Sequence, residues 1–209
     1  MISIIFPHAL NPENDRVLEL NLKMLEENTT CGYEVLYLAN NKRPDLVYEF
    51  WDWGIRHAKY DLILWHNTDI VMAPGWNESA LECQDLGDWI GIELVECGAI
   101  GVHPNNIHKD FGRTAETFRR KDFEQWAFNY SEKRPVFRKG FCWYSPSVWK
   151  KQWYIDMGGF DYSKPFPHPN DSEFREKVEK KGCRFIVVNE YGYHFQRAGE
   201  NQGVKPERQ

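Results

Sequence analysis

The chain has 209 residues, with 26 Lys and Arg against 31 Asp and Glu and a formal net charge of −5. This length fits one domain with a substantial core. The acidic balance argues against a general nucleic-acid-binding protein, because such proteins usually carry an excess of basic residues. Aromatic residues make up 15% of the chain and include nine Trp, a stock that suits both a core and a surface on which sugar rings pack.

The cysteines and the apolar segments indicate the cellular compartment in which the protein is expected. The five cysteines are scattered and include no CxxC pair, so neither a disulfide framework nor a zinc site is indicated and a reducing compartment is expected. The first apolar segment, Ile2 to Phe6, is too short for the apolar part of a signal peptide. No apolar run approaches the roughly 20 residues that span a membrane. We therefore expect a soluble, cytoplasmic protein.

The first third of the chain alternates strands and helices. The predicted elements are a strand over 2–6 that Pro7 ends, a helix from Pro12 with Asn11 as its cap, a strand over 33–39, a helix over 45–58 and a strand over 62–65. Such an order predicts an α/β domain, with a doubly wound, mostly parallel, Rossmann-like sheet flanked by helices. The Gly-rich fingerprint of dinucleotide binders and the P-loop are both absent from the sequence.

The remainder of the chain has a looser pattern. The predicted elements are helices over 77–86, 146–157 and 171–181 and strands over 89–92, 141–144 and 184–188. Basic and aromatic residues alternate over 113–139, as in some nucleic-acid-binding segments, but the overall acidity favours an amphipathic helix. We expect one domain over 1–198 and a loose polar tail over 199–209.

Polar residues stand at the ends of three predicted elements. Asp69 follows the apolar run Leu62 to Trp65, which is typical of a strand buried on both faces. Ligands of open α/β sheets bind outside the carboxyl ends of such strands, although a polar turn closing a core strand would look the same. Asp171 opens a helix, where the helix dipole also favours an acid. His194 follows the last predicted strand, where an ordinary partly buried histidine is the alternative.

Seven segments together carry a family resemblance. They are ISIIFP, YLANN, DWGIRHA, LILWHNTDIVMAPGW, MGGFD, NDSEF and YGYHF. In order and spacing the chain resembles the family 2-like glycosyltransferases with the GT-A fold, from the first strand to about His194. The resemblance implies a single GT-A domain with a smaller acceptor-side part. It also implies transfer of a sugar from a UDP- or GDP-sugar to a hydroxyl of a glycan or glycoconjugate.

The resemblance also implies roles for individual residues. Asp69, His194 and Asn67 would hold Mn²⁺ or Mg²⁺, with Asn67 standing where the family has the first acid of its D-x-D motif; an imidazole ligand favours Mn²⁺. Asp171 would be the general base of an inverting single displacement, preceded by Asn170 where a Glu is usual. The implied donor-binding residues are Pro7, His8, Ala9, Asn40, Asn41, Asp52 and Thr68, and the implied acceptor-binding residues are Trp143, Tyr144, Asp161 and His168.

Two other interpretations compete with a transferase. A nucleotidyltransferase that makes sugar nucleotides would need a Gly-rich, basic loop after the first strand, and PHALNPEND does not supply one. A non-catalytic module that binds a nucleotide sugar or a glycan through a degenerate GT-A site is favoured by Asn67 and Asn170. The presence of Asp69, Asp171 and His194 favours an enzyme. Neither nucleic acid nor a membrane span is expected as part of the function.

Overall fold

A computed structural model describes residues 1–10, 12–40, 47–98, 106–132, 136–141, 145–161, 163 and 170–196. The strands are β1 Ile2–Ala9, β2 Tyr33–Asn40, β3 Leu62–Trp65, β4 Ile70–Met72, β5 Trp89–Glu96, β6 Ile107–His108, β7 Phe137–Lys139, β8 Ser147–Lys150 and β9 Phe185–His194. The helices are α1 Pro12–Asn28, α2 Val47–His57, α3 Glu78–Glu82, α4 Arg120–Ser131, α5 Lys151–Asp156 and α6 Asn170–Lys180.

The nine strands form one sheet in the order β2-β1-β3-β8-β5-β9-β4, with β6 paired to β5 and β7 paired to β9. Strands β1, β2, β3, β5, β6 and β9 share one direction, whereas β4, β7 and β8 run antiparallel to their neighbours. This mostly parallel sheet with flanking helices confirms the predicted α/β class. Because β1, β3, β5 and β9 share a direction, their carboxyl ends meet at one edge.

The core lies on both faces of the sheet. Alternate residues of a strand point to opposite faces, so Phe6 of β1 packs in one cluster with Leu18 of α1, while Ile5 packs in another with Trp51 of α2 and Trp65 of β3. All four residues of β3 are buried, as expected for a strand covered on both sides. No helix in the described residues is long and apolar enough to cross a membrane.

Strand β1 does not stop at Pro7 as predicted. It continues to Ala9, with Pro7 in register with Leu38 of β2. On its other side β1 pairs with β3 only as far as Ile5 and Trp65. The Pro7 carbonyl faces this second side, where it accepts a hydrogen bond from the Thr68 hydroxyl. The backbone nitrogen of Pro7 therefore has no ladder partner to lose, which is the condition under which a sheet tolerates proline.

The prediction of a helix over 146–157 is also wrong for the first half of that range. Residues Ser147–Lys150 form strand β8, and only Lys151–Asp156 are helical. Val148 and Trp149 are fully buried where β8 lies between β3 and β5, so tertiary packing overrides the local pattern. Strands β5 and β9 are longer than predicted because they pair with each other to their ends, Glu96 and His194.

Some of the remaining predictions of helices and strands agree with the structure and others do not. The amphipathic helix expected in the segment 113–139 is present as α4, but the end of the segment forms strand β7. Phe141, predicted to begin a strand, lies outside any strand, and 142–144 lie outside the described residues, as do the Asn11 cap and the tail over 199–209. Strands β4, β6 and β7 were not predicted, since three, two and three residues are too short to show an alternating pattern.

Candidate active site

The site is built on the loop that joins β3 to β4. Asp69 lies in this loop, and Ile70, the first residue of β4, is in register with His194 of β9. The Phe195 backbone nitrogen donates a hydrogen bond to the Asp69 carbonyl at 3.0 Å. Strand pairing therefore brings Asp69 beside His194, although 125 residues separate them in the chain. His194 is the last residue of β9, whereas the sequence predicted that it follows that strand.

Asp69 and His194 form a close charged pair. Asp69 Oδ2 lies 3.1 Å from His194 Nε2, and the two side chains are 17% and 18% exposed. Burial alone would raise the pKa of Asp69, but the neighbouring His194 and its hydrogen bond lower it below the ordinary value. Burial alone would lower the pKa of His194, but Asp69 and Glu96 raise it to about 9. Both pKa shifts favour an ion pair of the Asp69 carboxylate with the His194 imidazolium.

Glu96 is a second carboxylate beside the histidine, and the sequence reasoning missed it. It ends β5 in register with His194, its side chain is buried, and its Oε1 lies 3.7 Å from His194 Nδ1. Strand β5 is buried along its whole length. An acid that closes such an apolar run is the sequence signal that could have identified it.

Two polar side chains hold the β3–β4 loop in place. Asn21 of α1 is fully buried, and its amide nitrogen donates to the Thr68 carbonyl at 2.9 Å. The Thr68 hydroxyl donates to the Pro7 carbonyl of β1 at 2.6 Å. The loop that carries Asp69 is thus tied to both α1 and β1. The sequence reasoning missed Asn21 because an isolated polar residue on a helix gives no signal of what it contacts.

Asn67 does not join the charged pair. Its backbone carbonyl accepts a hydrogen bond from Ile70 at 3.2 Å, and its side chain is partly exposed. Within the described residues, its side chain makes no hydrogen bond to Asp69 or His194. Its role as a metal ligand stays a prediction.

The predicted donor-binding residues of β1 and β2 lie at the same edge of the sheet. Pro7, His8 and Ala9 form the end of β1, and Asn40 ends β2 in register with Ala9. These residues lie within the strands, whereas the sequence predicted that they follow them. The His8 side chain is 2% exposed, and its Nε2 lies 2.9 Å from Asp15 Oδ1. Its Nδ1 is buried without a hydrogen-bond partner among the residues that the structure describes. Asn41 lies outside them.

Asp52 makes its contacts within the protein. One carboxylate oxygen accepts a hydrogen bond from the Tyr154 hydroxyl at 2.9 Å, and the other accepts from Arg56 at 2.7 Å. The Tyr154 hydroxyl in turn accepts from the Phe160 backbone nitrogen at 3.0 Å. A Cβ at Gly159, whose φ is +59°, would lie 2.8 Å from Asp52, so glycine is required there. These contacts anchor the MGGFD segment, and donor binding by Asp52 stays a prediction.

The predicted acceptor side is described only in part. Asp171, the second residue of α6, is half-buried and accepts a hydrogen bond from the Ser172 backbone nitrogen at 2.7 Å. Asp161 is exposed and accepts from the Ser163 hydroxyl at 2.5 Å. Within the described ranges no hydrogen bond or ion pair joins Asp171 to Asp69 or His194. The remaining predicted acceptor residues, Trp143, Tyr144 and His168, lie outside the described residues.

Comparison with known proteins identifies the fold. No family model matches the chain, and no curated protein matches it in sequence. Among solved structures it is similar to GalNAc-T7 crystallised with UDP, GalNAc and Mn²⁺, at a TM-score of 0.61 and 9% identity over 93% of this chain and 43% of that one. The chain has the GT-A fold.

Two further GT-A structures agree. S. aureus TarS, residues 1–349, matches at a TM-score of 0.59 and 14% identity over 92% of this chain and 60% of that one. The catalytic domain of Drosophila β1,4-galactosyltransferase 7 with xylobiose matches at a TM-score of 0.51 and 14% identity over 90% of this chain and 64% of that one. The chain thus spans between about two fifths and two thirds of the length of these structures, and family 2 within the GT-A enzymes stays a prediction.

The donor atoms at the edge of this GT-A sheet suit part of the ligand set of a divalent ion. In the described residues no group of three or more His, Cys, Asp or Glu side chains could hold a metal by itself. Mg²⁺, however, is usually bound by one or two carboxylates together with substrate phosphates. Two neighbouring ligands at about 2.1 Å from an octahedral ion lie about 3 Å apart, and Asp69 Oδ2 and His194 Nε2 are 3.1 Å apart. The pair fits two positions of such an ion.

Proposed function

We propose that the protein is a nucleotide-sugar-dependent glycosyltransferase, similar to family 2, that transfers a hexosyl or deoxyhexosyl group to a hydroxyl of a glycan or glycoconjugate. The observation that carries this proposal is the Asp69–His194 pair at the carboxyl edge of a GT-A sheet, at a distance that suits two ligands of one ion. Solved structures of TarS contain UDP and UDP-GlcNAc, and that of GalNAc-T7 contains UDP and Mn²⁺. These support a UDP-sugar as donor, with a GDP-sugar as the alternative.

The proposed metal is Mn²⁺ or Mg²⁺, held by Asp69 and His194 with the Asn67 amide oxygen as a third ligand. When bound, such an ion offsets the charge that develops on a departing nucleoside diphosphate. The chain's own residues prepare the site for it. Asn21 and Thr68 fix the loop that carries Asp69, and strand pairing fixes His194.

The donor would lie along the ends of β1 and β2. His8 has a buried Nδ1 without a hydrogen-bond partner among the described residues, and a ligand could satisfy that nitrogen. Pro7 and Ala9 flank it, and Asn40 faces Ala9 across the strand pair. This edge adjoins the β3–β4 loop, because Thr68 is hydrogen-bonded to Pro7. One ligand could therefore reach from β2 to Asp69.

Asp171 is the proposed general base. Its carboxylate would accept the proton of the acceptor hydroxyl as the hydroxyl oxygen attacks the sugar carbon from the side opposite the diphosphate, which inverts the anomeric configuration. General base catalysis of this kind contributes roughly 10²–10⁴-fold to a rate. Asp161 and the residues Trp143, Tyr144 and His168 complete the proposed acceptor side.

Donor turnover tests this function. The purified chain is incubated with a panel of UDP- and GDP-sugars and Mn²⁺, and release of the nucleoside diphosphate is measured with and without hydroxyl acceptors. We expect release from at least one donor, and we expect His194→Gln to lower it by 10-fold or more. A chain that binds a nucleotide sugar but releases no diphosphate with any acceptor would be the binding module, the alternative that Asn67 and Asn170 favour.

A further inference from the structure

Glu96 and His194 occupy paired positions on two parallel strands at the carboxyl edge of the sheet. Strands β5 and β9 are in register from Glu93 and Tyr191 to Glu96 and His194, after an irregularity at Ile92. Each of the two residues ends its strand. The register therefore places the two residues side by side at this edge.

The two nitrogens of the His194 ring have different surroundings. Nε2 lies 3.1 Å from Asp69 Oδ2. Nδ1 is buried without a hydrogen-bond partner among the described residues, and Glu96 Oε1 lies 3.7 Å from it. That distance is within ion-pair range and slightly longer than a hydrogen bond. A small rotation of either side chain would shorten this distance to that of a hydrogen bond.

A histidine that binds a metal through one nitrogen usually donates the N–H of the other to a carboxylate or carbonyl. This second contact fixes the orientation of the ring and increases the basicity of the ligating nitrogen. Glu96 is 6% exposed, so its carboxylate is sheltered from water, where such a contact is strong.

We propose that Glu96 is the positioning residue of His194: it accepts the Nδ1 hydrogen and so directs Nε2 toward Asp69 and the divalent ion. Glu96 itself does not touch the ion or the donor. The inference rests on the proposed function for its purpose, but the hydrogen bond from His194 to Glu96 can be observed without metal, donor or turnover.

A purely structural role is the competing explanation, since a buried carboxylate beside an imidazole also stabilises the pairing of β5 with β9. Glu93 offers a matched control. It lies on the same strand, is 4% exposed and pairs with Arg138 at 3.3 Å instead of with a histidine. Glu93→Gln removes a buried acid from β5 without touching His194.

The first experiment observes the ring directly in the metal-free chain. The imidazole N–H signals are recorded by ¹⁵N NMR at neutral pH, and His194→Gln assigns those of His194. We expect a hydrogen-bonded Nδ1–H in the parent that is lost in Glu96→Ala, shifted in Glu96→Gln and unchanged in Glu93→Gln. A parent without a protected Nδ1–H, or a signal that Glu96→Ala leaves in place, would overturn the proposal.

The second experiment measures Mn²⁺ affinity in the presence of UDP, by the loss of the free-ion signal in electron paramagnetic resonance. We expect Glu96→Ala to weaken the affinity by about 10–100-fold, Glu96→Gln to weaken it less, and Glu93→Gln to leave it unchanged at a similar melting temperature. Equal weakening by Glu93→Gln and Glu96→Ala would mean that Glu96 is structural only. If the parent binds no Mn²⁺, the metal in the proposed function fails, and the NMR result alone decides the role of Glu96.

Discussion

At the scale of single residues, the structure contains a carboxyl group whose burial should make stability depend on pH. Burial raises the pKa of Glu190 to about 7; the hydrogen bond from Ser79 opposes this rise, and the nearby Glu78 and Glu82 add to it. A raised pKa means that the folded state binds the proton more tightly than the unfolded state does. The contribution of Glu190 to stability is therefore most favourable below about pH 4.5 and is lost as the pH rises to about 7.

Glu190→Gln should remove this dependence, because the amide is always neutral and its oxygen can still accept the Ser79 hydrogen bond, which is 2.6 Å long in the parent. We expect the variant to melt at a higher temperature than the parent at pH 8 and at nearly the same temperature at pH 5. Thermal melts at both values check this, with the exposed Glu176→Gln as control. An equal gain at both pH values would contradict the pKa assignment.

Asp171 is the residue on which the distinction between enzyme and binding module depends. Asp171→Asn keeps an oxygen that can accept the Ser172 backbone hydrogen bond, so α6 should still begin at the same place. We expect donor and Mn²⁺ affinities close to those of the parent and a transfer rate lower by roughly 10²-fold or more. Single-turnover transfer assays measure this. If Asp161→Asn abolishes transfer and Asp171→Asn does not, the base is misassigned.

At the scale of elements, the connection between α1 and the β3–β4 loop positions the site. Asn21→Ala would leave the carbonyl of Thr68 buried without its donor, and an unsatisfied buried polar group costs about 1–3 kcal/mol. We expect a loss of that size in the free energy of unfolding, measured by urea denaturation, together with weaker Mn²⁺-dependent donor binding. Asn129→Ala on the surface of α4, where the Asn129 side chain accepts a hydrogen bond from Gln125 at 3.1 Å, should change neither.

At the scale of the whole molecule, the sequence predicts the parts of the fold that a local pattern determines. The alternating strands and helices of residues 2–65 and the buried strand before Asp69 follow from apolar patterning. Strand β8 could not be predicted, since Val148 and Trp149 form a strand only because β3 and β5 lie on either side.

The candidate site divides in the same way. Motif order suggested Asp69, His194 and Asp171; the structure places Asp69 beside His194, and the role of Asp171 as base stays a prediction. Glu96 and Asn21 could not be identified from the sequence. Their positions at the site come from strand register and from a helix–loop contact between residues far apart in the chain. The contacts of Asp52 anchor the MGGFD segment, which its sequence pattern did not indicate, and donor binding by Asp52 stays a prediction.

The most direct test of the central claim is calorimetric titration of the chain with its preferred nucleotide sugar, with and without Mn²⁺, in the parent and in Asp69→Asn. The amide conserves the shape of the side chain but removes the charge that is proposed to hold the ion. We predict donor binding that Mn²⁺ strengthens at least 10-fold in the parent and does not strengthen in Asp69→Asn, while the exposed Asp85→Asn behaves like the parent. Equal donor affinity with and without Mn²⁺ in all three proteins would contradict the account.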